Sequence, residues 1–211
     1  DILNLLQLDE DHVALYLLDV TGHGLPSAML SVAVSRLLSP VRSATALLYE
    51  RNPATGQDTV ASPGKVSTRL AMRFQWDAET AQFFTFVYGV LDRRTREFVY
   101  SCAGHPAPVC VSKSGVRTLE QTIDLPIGIM QGDYSERRVQ LEHGSRLYLY
   151  SDGIIDTMNS RNELFGMRRM TDVLMRQYAR PLDEGLDALM DALRVWREGA
   201  PVKDDISIVA L

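Results

Sequence analysis

Between residues 83 and 150 the chain carries six short stretches of strand length, at 83–91, 97–102, 108–111, 116–119, 139–141 and 146–150. The first, FFTFVYGVL, is aromatic and β-branched, and a turn at 92–95 lets 97–102 fold back on it as a hairpin. Ser114-Gly115, Gly132-Asp133 and Glu142-His143-Gly144 supply the turn chemistry between later members. Helical spacing appears only outside this run. Strands massed in the middle with helices at both ends point to an α+β layered sandwich rather than to regular βαβ alternation. The expected architecture is therefore antiparallel sheets flanked by helices.

The flanks sharpen that picture. Residues 13–20 form an almost continuous apolar run, as a buried strand requires, and LYLLDVTGHGLPSAML (15–30) then passes through a glycine loop into a helix with Pro26 in its first turn. Ala28, Leu30, Val32, Ala33, Val34, Leu37 and Leu38 make that helix nearly all apolar until Ser39-Pro40 stops it, so it is expected in the interior. From 41 to 64 the pattern weakens around Asn52-Pro53, Gly56 and Ser62-Pro63-Gly64, which reads as a variable or mobile insertion, a substrate or regulatory flap, before a short helix near 66–74. Residues 162–179 and 181–198 have helical spacing, and 206–211 is a final strand.

A chain of 211 residues, 45% hydrophobic, buries one good-sized core, and a single domain over 1–211 is expected. With 22 basic against 27 acidic residues and no massing of cations, the footprint of a nucleic-acid binder is missing. No apolar run approaches the roughly 20 residues that span a bilayer and no signal segment opens the chain, which argues against membrane insertion. Cys102 and Cys110, both in strand-like apolar context, read as inert thiols in a reducing, cytoplasmic setting. The start at Asp1, without a methionine, points to a piece of a longer protein with domains upstream.

Carboxylates recur at strand ends. Asp19 closes a strand in LLDVTGHG, Asp152 closes another in LYLYSDGIID, and Asp204-Asp205 stand before the last strand in KDDISIVAL. Each one alone reads as a cap or turn residue. Jointly they ask for more, because a carboxylate beside a buried strand loses hydration, and several in one pocket repel each other. Mg²⁺ or Mn²⁺ removes both problems, since these ions take oxygen ligands and keep waters in the remaining positions. Gly22, Gly24 and Gly153 sit beside the acids, where a missing side chain lets carbonyls, waters or a ligand approach.

The stretches DVTGHGLPSAML, FTFVYGVLD, AGHPAPV, LPIGI, LYLYSDGIIDTMNSRNELFG and KDDISIVAL, in this order and across nearly the whole chain, resemble bacterial metal-dependent serine/threonine phosphatases of the PPM superfamily, in its SpoIIE/RsbU-like branch. The resemblance implies a four-layer αββα sandwich with two Mn²⁺ or Mg²⁺ ions at one end. It implies Asp19 as the ligand shared by both ions, the main-chain carbonyl of Val20 as a ligand of one, and Asp152 and Asp204 as acids on the other. Asp205 would orient a neighbour or add to the metal site, and Asp1 matches in position the acid of a GGD element that reaches metal through water. The implied reaction is hydrolysis of phosphoserine or phosphothreonine by direct attack of a metal-bound water. The implied substrate is a phosphorylated anti-sigma-factor antagonist, under the control of an upstream sensory or response-regulator receiver domain. The competing class is a catalytically silent docking module on the same fold.

The remaining motifs carry less. His23 in the glycine loop is either a general acid or a hydrogen-bonding turn residue. His105 reads as a structural turn, His12 and His143 as surface turn residues, and Asp156 as a residue behind the ligands or a helix cap. A dinucleotide loop would need glycine where Ser27 stands. A haloacid-type phosphatase would need its aspartate nucleophile at Tyr150, and a P-loop would need a Lys-Ser/Thr pair that does not follow Gly24.

Overall fold

The computed structural model describes residues 1–22, 24–41, 46–75, 82–129 and 131–211. They divide into two compact units, Asp1–His105 with Glu120–Leu141, and Pro106–Leu119 with Glu142–Leu211. Each combines an antiparallel sheet with helices, so the α+β class expected above is observed.

In the first unit β1 (Ile2–Gln7), β2 (His12–Val20), β5 (Phe84–Asp92), β6 (Glu97–Ala103) and β9 (Arg137–Gln140) form a five-stranded sheet in the order β1-β2-β5-β6-β9. Strand β2 is buried on both faces: Ala14, Tyr16 and Leu18 on one, Leu15 and Leu17 on the other, all inaccessible to water. That explains its continuous rather than alternating apolar pattern. The even-numbered face joins Phe84, Phe86 and Tyr88 of β5 and residues of α1 (Leu25–Leu37) and α2 (Pro63–Arg73) in one core. Helix α2 starts at Pro63, three residues before the expected helix, because proline suits a first turn and Ser62 precedes it in an extended conformation.

Two expectations need correction here. Helix α1 is not interior on all sides: Val34 is buried, but Leu25, Met29 and Val32 are 73%, 65% and 52% exposed. An all-round apolar helix carries no periodic signal to say which face turns outward. The segment 41–64 is not merely a mobile insertion either, although residues 42–45 lie outside the described residues. It contains the hairpin β3 (Tyr49–Arg51) and β4 (Asp58–Val60), and Leu47, Leu48 and Ala61 sit in the core. The Ala61 N–H donates to the Leu48 carbonyl at 2.9 Å, and Arg69 of α2 donates to the carbonyls of Leu47 and Tyr49.

The second unit holds a four-stranded sheet, β11-β10-β7-β8, from β7 (Val109–Ser112), β8 (Gly115–Thr118), β10 (Arg146–Tyr150) and β11 (Ile208–Ala210). Helices α3 (Asp152–Ile155), α4 (Gly166–Arg176) and α5 (Leu182–Arg197) accompany it. Val109, Val111, Tyr148 and Tyr150 meet Met170 and Leu174 of α4 and Leu189 and Leu193 of α5 in its core. Helix α5 carries Asp183 and Glu184 in its first turn and Arg194 and Arg197 in its last, each sign matched to the helix dipole. Among the described residues no helix is long and apolar enough to cross a membrane.

Candidate active site

In the first unit Asp1 and Asp19 stand at one end of the β1–β2 ladder. Asp19 is half-buried and lies opposite Thr85 of β5. Strand β1 opens with Ile2 paired to Leu18, so one further step of the antiparallel register sets Asp1 across from Asp19. Like charges directly opposed on a ladder destabilise it unless a positive charge intervenes. Thr85 shares a 2.7 Å hydrogen bond with Nδ1 of His105, whose ring is 1% exposed. The carbonyl oxygen of His105 accepts from Nε2 of Gln121 at 2.8 Å. A buried histidine thus braces the strand position facing Asp19, a role that the surrounding glycine and prolines only hint at.

After Val20, itself 7% exposed, the backbone turns through Gly22 and Gly24 at φ 82° and 89°. Residues bearing a Cβ avoid that left-handed region, which is why glycines flank the turn. Thr21 fastens it: its N–H and its Oγ1 both donate to the Phe83 carbonyl, at 3.0 and 2.8 Å. Ser27, in the first turn of α1, donates to the Thr21 carbonyl at 3.1 Å. His23 lies outside the described residues.

In the second unit Asp152 and the Asp204–Asp205 pair, distant in sequence, come to adjoining backbone. Asp152 opens α3 directly after Ser151, which ends the extended run of β10 at φ −78°, ψ 156°. The Ser151 N–H donates to the Ser207 carbonyl at 2.9 Å, and its Oγ donates to the Asp205 carbonyl at 3.0 Å while accepting from the Ser207 N–H at 2.9 Å. Gly153 closes the contact, since a Cβ there would sit 2.1 Å from the Asp205 carbonyl oxygen. Only glycine lets the Asp152 turn and the Asp204–Asp205 backbone lie this close. Sequence reasoning misses Ser151, whereas it expects Gly153 to admit a close carbonyl, and the structure identifies that carbonyl as the one of Asp205.

Asp152 is half-buried, and Asp204 and Asp205 are exposed. Asp204 Oδ1 accepts the N–H of Asp205 at 2.8 Å, so that carboxylate is engaged by its own chain. Among the described residues no group of three or more His, Cys, Asp or Glu side chains is gathered as a metal cluster. The donors nevertheless fit a hard divalent cation, being carboxylate oxygens on backbones held together by the Gly153 contact. A cation would compete with the Asp205 N–H for Asp204. Asp156 follows α3 as its C-cap, the cap role of the two expected for it.

The family profile described as Stage II sporulation protein E (SpoIIE) matches residues 9–211. A protein described as phosphoserine phosphatase RsbP, from Bacillus subtilis (strain 168), is 28% identical over 157 residues, covering 74% of this chain. The chain spans 36% of that relative's length. The SiaA-PP2C domain of Pseudomonas aeruginosa superimposes over 99% of this chain and 78% of its own, with a TM-score of 0.78 and 23% identity. A structure of RsbX in complex with magnesium covers 99% of this chain and 84% of its own, with a TM-score of 0.67 and 14% identity. These likenesses show the fold.

Proposed function

The chain belongs to the SpoIIE family, and from that premise we propose that it is a metal-dependent protein serine/threonine phosphatase. Asp19, Asp152 and Asp204 hold two Mn²⁺ or Mg²⁺ ions, with the Val20 carbonyl as a further ligand and Asp1 and Asp205 in support. The observation that carries the reading is the contact of Gly153 with the Asp205 carbonyl, because it sets the acids of the second unit on neighbouring backbone. The phosphoserine phosphatase relative and the magnesium-bound structural neighbour agree with it.

Bound divalent cations supply neutralisation of the phosphoryl oxygens and a water acid enough to attack near neutral pH. The chain's own part is positional. Ser151 and Gly153 hold the 204–205 backbone against Asp152, Thr21 and Ser27 hold the glycine turn beyond Asp19, and His105 braces Thr85. Such placement before reaction is what raises a rate, since small errors in position are costly. The substrate is a cytoplasmic phosphoprotein of the anti-sigma-factor-antagonist type, and the domain serves as the output of an upstream sensory or receiver domain.

Hydrolysis of p-nitrophenyl phosphate with added Mn²⁺ tests this. Activity should vanish with EDTA and in Asp19→Ala and Asp152→Ala, and Mn²⁺ affinity, followed by electron paramagnetic resonance, should fall in both variants. Activity indifferent to chelation, or surviving both substitutions, refutes the proposal. A chain that binds a regulator but never turns over is the docking module instead.

A further inference from the structure

A cavity of about 200 Å³ in the second unit is lined by Gly153, Asp156, Met158, Arg197, Lys203 and Asp204 among others. It shares Gly153 and Asp204 with the acid-bearing backbone described above, and it contains two cations without a carboxylate partner among the described residues. Arg197 is half-buried, yet its guanidinium makes no hydrogen bond or ion pair with any described residue. Among the described residues Lys203 meets only the Met158 sulfur, at 3.5 Å. Other half-buried arginines are engaged: Arg69 donates to two carbonyls, Arg146 to the carbonyls of Gln177 and Arg180, and Arg169 to Phe165 while lying 3.9 Å over the Trp196 ring. Service to the α5 dipole does not account for Arg197 alone, since Arg194 occupies the same last turn and is paired with Asp191 at 2.9 Å.

The charges lining the cavity balance, Arg197 and Lys203 against Asp156 and Asp204. Once Asp204 is committed to a divalent cation, as the phosphatase reading on which this inference rests requires, the remaining balance is positive. Guanidinium and ammonium groups left unpaired beside apolar walls such as Met158, Pro201 and Val202 favour an incoming carboxylate. We propose that Arg197 and Lys203 form a specificity subsite for an acidic side chain of the phosphoprotein substrate, next to its phosphoserine.

Two phosphoserine peptides decide it, identical except that glutamates flank the phosphoserine in one and alanines in the other. In Arg197→Ala the KM for the glutamate peptide should rise roughly three- to tenfold with kcat intact, the range expected of a half-exposed charge-assisted contact. The KM values for the alanine peptide and for p-nitrophenyl phosphate should not move, Lys203→Ala should act in the same direction, and Arg197→Lys should recover part of the loss. An unchanged KM for the glutamate peptide, or an equal rise for all three substrates, overturns the subsite. If wild-type protein hydrolyses nothing with Mn²⁺, the phosphatase reading fails and fluorescence anisotropy of the labelled, unphosphorylated glutamate peptide decides the subsite alone. Weaker binding by Arg197→Ala then supports it, and equal binding overturns it.

Discussion

Gly153→Ala sets two physical effects against each other with opposite signs. Position 153 lies inside α3, where alanine is favoured over glycine by up to about 1 kcal/mol. Propensity alone therefore predicts a small gain in stability. The added Cβ, however, would stand 2.1 Å from the Asp205 carbonyl oxygen and 3.0 Å from its carbonyl carbon. Close carbon-to-oxygen contacts lie near about 3.3 Å, so the two backbones must part by about 1.2 Å. Backbone on both sides leaves no flexible side chain to absorb that shift, and forced overpacking costs about 1–3 kcal/mol. The same movement stretches the Ser151 Oγ bond to Asp205, now 3.0 Å, which adds about 1 kcal/mol. The net expectation is destabilisation of about 1–3 kcal/mol, a fall in Tm of about 2–4 °C for each kcal/mol in a chain of this size. Activity should fall further than stability, by about a hundredfold, because a 1 Å error in a reacting constellation costs about that much. Differential scanning calorimetry and Mn²⁺-dependent p-nitrophenyl phosphate hydrolysis on the same samples check both numbers. A variant as stable as wild type refutes the packing argument. One that is destabilised but fully active at a temperature where it is folded refutes the link between this contact and the site.

Ser151→Ala leaves the Asp205 carbonyl and the Ser207 N–H without their shared hydroxyl, and should cost about 1–3 kcal/mol in urea unfolding together with a clear loss of turnover; a neutral result would mean that water replaces the hydroxyl. Burial pushes the Glu136 carboxyl upward, but hydrogen bonds from Ser62, Arg138 and the Gly64 N–H outweigh it and hold the group below the usual range. A depressed folded value contributes stability above the unfolded pKa and loses it as pH falls through the folded one. Solvent screening of this partly exposed group keeps the effect small, so Glu136→Gln should cost at most about 1 kcal/mol at pH 7 and almost nothing at a pH below the folded value. An equal cost at both pH values would contradict that assignment. Cys102 is fully buried and its thiol is pushed up to about 12 by burial, with Asp124 adding to the effect, while Cys110 is 2% exposed. Ellman's reagent should therefore find no fast-reacting thiol in the native state until denaturant is added, and one prompt equivalent would disprove it.

Elements whose burial follows a local pattern are legible in the amino-acid order itself. The run 13–20 is β2 (His12–Val20), 83–91 is β5 (Phe84–Asp92), and 146–150 is β10 (Arg146–Tyr150), since apolar, aromatic or β-branched runs bounded by turns have few other uses. The two late helices appear within their expected spans, trimmed to α4 (Gly166–Arg176) and α5 (Leu182–Arg197). Strand β1 is not legible in this way. It is an edge strand whose outward positions hold Leu3 and Leu5, 39% and 46% exposed, while Leu6 on the other face is buried, so residue type does not mark which face turns inward. The β3–β4 hairpin is hidden because Asn52-Pro53 and Gly56, which read as loop breakers, are the turn of a hairpin whose base is anchored by Leu48 and Ala61. In the candidate site the acids themselves are legible, being charged residues at the ends of apolar strands. Ser151, Thr85 and the buried ring of His105 are not, because their roles depend on partners far along the chain.

Sequence alone determined the α+β class, most strand positions and the hard, all-oxygen character of the candidate donors, because residue type and short-range period act within a few neighbouring residues. Tertiary structure alone decided that Gly153 rests on Asp205, that Asp1 comes level with Asp19, and that Arg197 and Lys203 line one cavity with no described acid paired to either. Those relations follow from sheet order and close backbone approach, which are set by the simultaneous burial of many distant residues and leave no local trace in the chain.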